Sequence, residues 1–165
     1  MARRVFYSFH YIPDSWRASQ IRNMGVVEGN IPASDNDWEK ITNAGDKAIQ
    51  NWIDEQLKGR TCTIVLIGEN TAGRKWIKYE IENSWNGEKG VFGIYVHNLK
   101  DPEGNQSNKG RNPFDDFTMK RDNMKLSSIV KAYNPSFTDS KDVYDYIQEN
   151  LSKWIEEAIN IRENY

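Results

Sequence analysis

The segment RKWIKYEI, residues 74–81, places Trp76 and Glu80 four residues apart, which is the spacing of neighbours on one face of a helix. A carboxylate can hold hydroxyl groups or stabilise a developing positive charge, and an indole can stack on a flat ligand. The same pair can also be structural, with the indole packed against a sheet and the carboxylate paired with a nearby lysine. The spacing alone leaves both interpretations open.

The elements around this pair predict where it lies. The preceding segment TCTIVLIG, residues 61–68, is β-branched and almost wholly apolar, which is typical of a strand covered on both faces of a parallel sheet. A neighbouring stripe of the following helix should face that sheet, so the Trp76–Glu80 stripe is expected at the border of the core. That neighbouring stripe consists of Ile77, Ile81 and Ser84. Glu80 would lie roughly 10 Å into the helix, where it could form the floor of a cleft.

Strands and helices alternate along the chain, which predicts a doubly wound α/β fold of flavodoxin-like type: a mainly parallel sheet with helices on both faces. We expect one domain over residues 1–165. The predicted strands are residues 3–9, 24–30, 61–68, 90–99 and 126–133. The predicted helices start at Asp14, near residues 35–37, at residue 74 and at Ser140. Asp14 or Ser15 is expected to cap the first helix, and Asp139 or Ser140 the last. Gly59 is expected to end the second helix.

Composition excludes several classes of protein. Lys and Arg number 22 against 24 Asp and Glu, so the net charge of −2 does not indicate nucleic-acid or membrane-surface binding. No apolar run is long enough for a signal peptide or a membrane span, and the single Cys62 lies in an apolar strand, so we expect a cytoplasmic protein. With two histidines and one cysteine, no Cys/His zinc site is expected.

The strand ends exclude several α/β families and point to one edge of the sheet. No glycine-rich dinucleotide or P-loop motif and no GxSxG elbow follows a strand. The acidic residues of a phosphoacceptor receiver and the phosphate loop of a flavodoxin are also missing. Ligands of such sheets bind beyond the carboxyl ends of the strands. Three segments should therefore meet there: SFHY, GNIPASDNDW and GENTAGRKW.

Three longer stretches resemble the TIR-like domains of bacterial antiphage systems, in particular the Thoeris TIR proteins. They are RRVFYSFHY at the start, TIVLIGENTAGRKWIKYEI in the middle, and IYVHNLKDPEGN with KGRNPFDDF after the fourth strand. The resemblance covers residues 2–117. It implies an enzyme that cleaves the nicotinamide–ribose bond of NAD+, with Glu80 as the catalytic residue. It also implies that the product is an ADP-ribose-derived signal, often cyclic, that activates a separate effector.

The chemistry implied by the resemblance suits these residues. Nicotinamide leaves NAD+ as a neutral molecule, so one glutamate is enough to hold ribose hydroxyls and stabilise the oxocarbenium ion. The expected NAD+-binding residues are Ser8, Phe9, His10, Tyr11, Trp38 and Trp76. Backbone amides of residues 70–73 could meet ribose or phosphate, and Arg74 or Lys75 could add positive charge. Packing remains an equal alternative for Trp38 and Trp76, and a hydrogen-bonding role at the strand end is the alternative for His10.

The expected partners follow from the same resemblance. NAD+ is the substrate and no resident cofactor or metal is expected, while a phage component is the trigger and self-assembly is possible on activation. Residues 101–123 form a long polar loop that is either a mobile surface loop or a lid or assembly surface. Two other functions stay open: a non-catalytic TIR-type adaptor acting by self-association, and a nucleoside deoxyribosyltransferase-like enzyme with a glutamate nucleophile.

Overall fold

The computed structural model describes residues 3–29 and 40–165. Within these ranges the strands form one five-stranded parallel sheet in the order β2-β1-β3-β4-β5. The strands are β1 Arg4–Phe9, β2 Glu28–Gly29, β3 Cys62–Ile67, β4 Gly90–Tyr95 and β5 Ala132–Tyr133. This arrangement confirms the predicted α/β fold of flavodoxin-like type.

Four helices flank the sheet in the described ranges: α1 Tyr11–Arg22, α2 Asp46–Leu57, α3 Lys75–Asn86 and α4 Ser140–Glu163. Apolar residues of α1 and α4 share one core cluster with every second residue of the central strands. Residues of α2 and α3 pack on the alternate strand residues, on the other face. Helices therefore cover both faces, as predicted, because the central strands β3 and β4 are buried at every position.

The alternation of side chains along β1 decides what each of its residues can touch. Val5 and Tyr7 belong to the core cluster with α1 and α4, whereas Phe6 packs with α2. Ser8 is two residues after Phe6, so its side chain points to the same face of the sheet, toward α2 and α3. Phe9 packs on the α1 face. One strand thus sends a polar group toward α3 and an aromatic group away from it.

The observed element boundaries correct several predictions. The first helix starts at Tyr11, three residues before the predicted cap, and Asp14 is a buried residue inside it. The predicted helix from residues 35–37 to 59 is interrupted: residues 40–43 are helical, Gly45 has φ 96°, and α2 begins at Asp46. Gly59 follows α2 with φ 72°, as expected of a glycine that ends a helix.

Two predicted strands are shorter in the structure. The second is a two-residue strand at Glu28–Gly29, and residues 30–39 lie outside the described residues. In place of the predicted strand 126–133, Leu126–Ser128 form a 3₁₀ turn and only Ala132–Tyr133 pair with β4. These segments lie at the sheet edges, where few partners enforce an extended backbone. The last helix is capped as predicted, since the Asp139 carboxylate accepts from Lys141 N.

The long polar segment after β4 has defined structure. It contains a 3₁₀ turn at Pro113–Asp116, capped by the Asn112 side chain, and an isolated antiparallel bridge between Thr118 and Lys125. Asn108 N donates to Glu69 Oε1 over 2.9 Å, which ties this segment to the end of β3. No helix among the described residues is long and apolar enough to cross a membrane.

Candidate active site

Glu80 lies in the middle of α3, which contacts β1, β3 and β4. Ile77 and Ile81 pack on the sheet, and Ser84 Oγ lies 2.7 Å from Thr63 Oγ1 of β3. These contacts confirm the sheet-facing stripe predicted from the sequence. Glu80 is buried more deeply than its predicted place at the border of the core implied: the residue is 8% exposed, and Ser8 of β1 lies near its carboxyl.

Burial changes the ionisation of Glu80. Loss of solvent raises its pKa to about 8, and the nearby Ser8 hydroxyl opposes that rise. Within the described ranges neither Glu80 Oε2 nor Ser8 Oγ has a hydrogen-bond partner of good geometry, although both atoms are buried. A buried carboxyl oxygen without a hydrogen-bond partner is costly, and a strongly raised carboxyl pKa is typical of a functional site.

His10 lies where β1 leaves the sheet, at the N-cap position of α1. Its pKa is lowered by burial and by the positive charge of Arg74, so the imidazole is neutral at neutral pH. The effect of Arg74 places the loop before α3 near the end of β1. His10 Nδ1 is buried and has no hydrogen-bond partner among the described residues. The structure therefore brings Ser8, His10 and Glu80 to the same end of β1, as expected.

The aromatic residues predicted to bind NAD+ do not all lie on the same face of the sheet. Phe9 packs against the core on the α1 face and stacks on Tyr11, with ring centroids 6.2 Å apart. Trp76 is half-buried against the cluster of α2 and makes an edge contact of 5.7 Å with Tyr79. Packing thus accounts for the positions of Phe9 and Trp76, and their role in binding remains a prediction. Trp38 lies outside the described residues.

The loop from Gly68 to Arg74 joins β3 to α3 at this edge. Gly68 N donates to the buried Thr71 Oγ1 over 2.8 Å, which closes the loop on itself. Gly73 adopts φ 83° and leaves the following residues exposed. Of the two cations proposed to add charge, Lys75 pairs with Asp46 of α2 and lies 4.9 Å from the Trp76 ring, so Arg74 is the better candidate.

Sequence reasoning missed two features of this edge. Asp14 and Arg17 form a buried ion pair, with Arg17 Nη1 3.0 Å from Asp14 Oδ1. The i,i+3 spacing of Asp14 and Arg17 is that of an ion pair on one helix face, whereas the sequence pattern predicts Asp14 as a helix cap. His97, just beyond β4, is also buried and its Nδ1 has no partner in the described part of the chain.

Two open grooves of the molecule lie away from Glu80. One, of about 630 Å³, is lined by the C-terminal halves of α3 and α4 and by residues 116–121. Another, of about 850 Å³, lies at the start of β1 and β3. Both belong to the amino end of the strands, so neither is the predicted cleft at the carboxyl edge. No group of three His, Cys, Asp or Glu residues within residues 3–29 and 40–165 is arranged to hold a metal ion.

Comparison with known proteins gives the site its context. A curated protein of Bacillus cereus (strain MSX-D12), named "Putative cyclic ADP-D-ribose synthase ThsB1", is 38% identical over 121 residues. The matched region covers 70% of this chain and 62% of that protein. A family model described as "Thoeris protein ThsB, TIR-like domain" matches residues 6–101, which is more than half of the chain and includes the last four residues of β1, all of β3 and α3, and Glu80. The chain therefore belongs to the family of Thoeris ThsB proteins with a TIR-like domain.

Proposed function

We propose that this protein cleaves the nicotinamide–ribose bond of NAD+ with Glu80 as the catalytic residue, and converts the ADP-ribosyl moiety into a signalling nucleotide. The observation that carries this proposal is the buried Glu80 carboxyl at the carboxyl edge of the sheet, whose Oε2 has no hydrogen-bond partner among the described residues. The membership of the ThsB family supports it, and so does a relative named as a cyclic ADP-D-ribose synthase. We assign the activity to residues 1–165 acting as one TIR-like domain.

The proposed bond cleavage needs a negative charge more than it needs a proton donor. As the bond between ribose C1′ and the pyridinium nitrogen breaks, its electron pair goes to the nitrogen and nicotinamide leaves neutral. Positive charge then develops on C1′, and the Glu80 carboxylate stabilises it. This interaction is strong because the surroundings of Glu80 are poorly solvated.

The raised pKa of Glu80 fits this scheme. In the free protein at neutral pH the carboxyl is largely protonated, since its pKa is about 8. The cationic pyridinium ring of bound NAD+ favours the ionised form, so substrate binding releases the proton to solvent and creates the carboxylate where it is needed. The ionised oxygens can also accept hydrogen bonds from ribose hydroxyls, which supply the partners that Glu80 Oε2 lacks.

The fate of the C1′ cation decides the product. Attack by an adenine nitrogen of the same molecule, with loss of a proton, gives a cyclic ADP-ribose, whereas attack by water gives linear ADP-ribose. We favour the cyclic product because of the name of the Bacillus cereus relative. We assign Ser8 and His10 to the binding of ribose or phosphate oxygens and Tyr11, the first residue of α1, to an aromatic wall of the site; their position at the carboxyl end of β1 supports this.

We place this reaction in antiphage defence in the cytoplasm. In this scheme a phage component triggers the enzyme, the nucleotide product diffuses to a separate effector, and self-assembly of the protein accompanies activation. The support is the family, whose description names the Thoeris system.

The test is nicotinamide release and product analysis by mass spectrometry, in infected cells and with concentrated purified protein. Glu80→Gln should lower turnover by roughly 100-fold or more while the fold is kept. The matched control is Glu82→Gln, which changes an exposed carboxylate on the same helix and should retain full activity. Full turnover in Glu80→Gln would refute the assignment. Partner binding without any NAD+ loss would indicate an adaptor, and base exchange on deoxynucleosides would indicate a deoxyribosyltransferase.

A further inference from the structure

Asp14 and Arg17 form a charged pair inside the protein, one turn apart on α1. Asp14 is 2% exposed and Arg17 is 3% exposed. Arg17 Nη1 donates to Asp14 Oδ1 over 3.0 Å. Burial raises the pKa of Asp14 and the adjacent guanidinium opposes that rise. Two charges removed from water are retained only where several hydrogen bonds compensate them.

Arg17 makes those bonds to two other segments. Its Nε donates to Leu99 O over 2.8 Å and its Nη2 donates to Asn105 O over 3.0 Å, both in the segment that follows β4. Its Nη1 also reaches Pro13 O in the first turn of α1 at 3.2 Å. One guanidinium therefore holds residues 99–105 against α1, with a fork of donors that no other side chain offers.

Asp14 faces the end of β3. Its carboxylate lies directly against the Cα of Gly68, where any side chain would overlap it. Gly68 opens the loop that leads to α3, and Gly68 N is bonded to Thr71 Oγ1. Asp14 Oδ2 is buried and lacks a hydrogen-bond partner among the described residues.

The opposite side of the same loop is held by the segment that Arg17 anchors. Asn108 N donates to Glu69 Oε1 at 2.9 Å, and Gly110 lies so close to Gly68 O that a side chain there would collide with it. The start of the β3–α3 loop is thus held between Asp14 on one side and residues 108–110 on the other. Arg17 links both sides.

We propose that the Asp14–Arg17 pair is a positioning element for the Glu80 site: it clamps the β3–α3 loop, and through that loop it sets where α3 places the Glu80 carboxyl against β1. Arg17 is bonded to the backbone of residues 99 and 105, and Asp14 lies against Gly68, so we assign the pair a positioning role through the loop. The catalytic readout of this proposal rests on the proposed NAD+ cleavage, but the positioning itself does not.

The experiment measures the titration of the Glu80 carboxyl. Protein labelled with ¹³C at the glutamate carboxyls is titrated by NMR, and the Glu80 signal is the one missing in Glu80→Gln. The variants are Asp14→Asn, which keeps the shape of the side chain and removes its charge, and Arg17→Lys, which keeps the ion pair but loses the fork to residues 99 and 105. The matched control is Asp145→Asn, which breaks an exposed ion pair with Lys141 on α4.

We expect the Glu80 titration to move down by about one pH unit or more in Asp14→Asn, because a neutral side chain holds the Arg17 guanidinium less firmly, which loosens the segments around the loop and lets water reach the carboxyl. The kcat for nicotinamide release should fall about tenfold or more, with a smaller change in KM. Arg17→Lys should show shifts in the same directions, of smaller size, in a folded protein. Asp145→Asn should match the wild type in every measurement.

Folded Asp14→Asn or Arg17→Lys with wild-type Glu80 titration and kcat would overturn the proposal. If Asp14→Asn does not fold, Arg17→Lys decides the question by itself, because it retains both charges. A wild-type protein that never releases nicotinamide would contradict the proposed function, while the NMR titration would still decide the positioning role.

Discussion

Ser8 of β1 and Glu80 of α3 lie side by side at the carboxyl edge of the sheet, close enough for the hydroxyl to lower the pKa of the carboxyl. Both side chains are buried, and within the described ranges neither Ser8 Oγ nor Glu80 Oε2 completes a hydrogen bond. Under the proposed function, a ligand with hydroxyl groups and a positive charge supplies the partners that these two atoms lack. Four predictions follow from this pair and its surroundings.

The first prediction concerns stability and pH. The pKa of Glu80 is raised from 4.5 to about 8 in the folded protein, so between these values the folded state holds a proton that the unfolded state has lost. This group therefore lowers the free energy of unfolding by roughly 1.4 kcal/mol per pH unit as the pH rises from about 4.5 to about 8. The contribution of the protonated Glu80 carboxyl to stability is full below about pH 4.5 and is lost above about pH 8.

Glu80→Gln removes this contribution, so its stability relative to wild type should increase with pH. Urea unfolding at several pH values measures the difference between the two proteins, which cancels the other titrating groups. A pH-independent difference would show that Glu80 titrates normally.

The second prediction concerns the pH dependence of the reaction. In the proposed reaction only the ionised carboxylate stabilises the C1′ cation, so kcat/KM for nicotinamide release should rise about tenfold per pH unit below about 8 and then level off. The kcat profile should lie at lower pH, because bound NAD+ places a cation beside Glu80. Initial rates between about pH 5.5 and 9, with tryptophan fluorescence as a check on folding, measure both. A rate that falls as the pH rises would require the protonated acid instead.

The third prediction tests Ser8. Because the Ser8 hydroxyl lowers the pKa of Glu80, Ser8→Ala should raise that pKa and move the kcat/KM profile toward alkaline pH. Activity should drop several-fold at neutral pH and recover toward the wild-type value in alkaline solution. The control is Ser84→Ala, which removes a buried hydroxyl bonded to Thr63 and to Glu80 O.

Ser84→Ala should cost about 1–3 kcal/mol of stability and leave the midpoint of the profile unchanged. If the two serine variants shift the profile equally, then packing of α3 and not the Ser8 hydroxyl controls the ionisation of Glu80.

The fourth prediction separates packing from ligand binding at Trp76. This indole is half-buried against α2 and Tyr79, so Trp76→Ala should destabilise the fold by about 1–3 kcal/mol. Trp76→Phe should keep most of the packing, with KM for NAD+ close to wild type. Trp16, which is 51% exposed, supplies the control: Trp16→Ala should change neither stability nor KM. A large rise in KM for Trp76→Phe in a stable protein would instead show that the indole stacks on the substrate.

The sequence pattern predicted the parts of the fold in which residue type and burial both favour the same element. β3 and β4 are continuous apolar runs, and burial on both faces leaves them no alternative to a central strand. The sequence did not predict the break at Gly45, where the backbone has a positive φ before α2, or the shortness of β5, which pairs with one strand only at the sheet edge. The start of α1 at Tyr11 was not predicted because aspartate is a residue type that often caps helices, so Asp14 was expected at the N-terminus. Its buried position inside the helix follows from its contacts with Arg17 and Gly68, which only the tertiary structure shows.

The sequence by itself determined the order of strands and helices, the helix that carries Glu80, and the family to which the middle motif belongs. The order of the elements and the helix follow from periodicity along the chain, whereas the family follows from the resemblance of the motifs. The tertiary structure alone decided that Glu80 is buried beside Ser8, that Phe9 turns away from it, and that Asp14 and Arg17 form a buried pair against Gly68. The physical reason is that burial and pairing depend on which strand a crossover places next to which, and no local spacing contains that information.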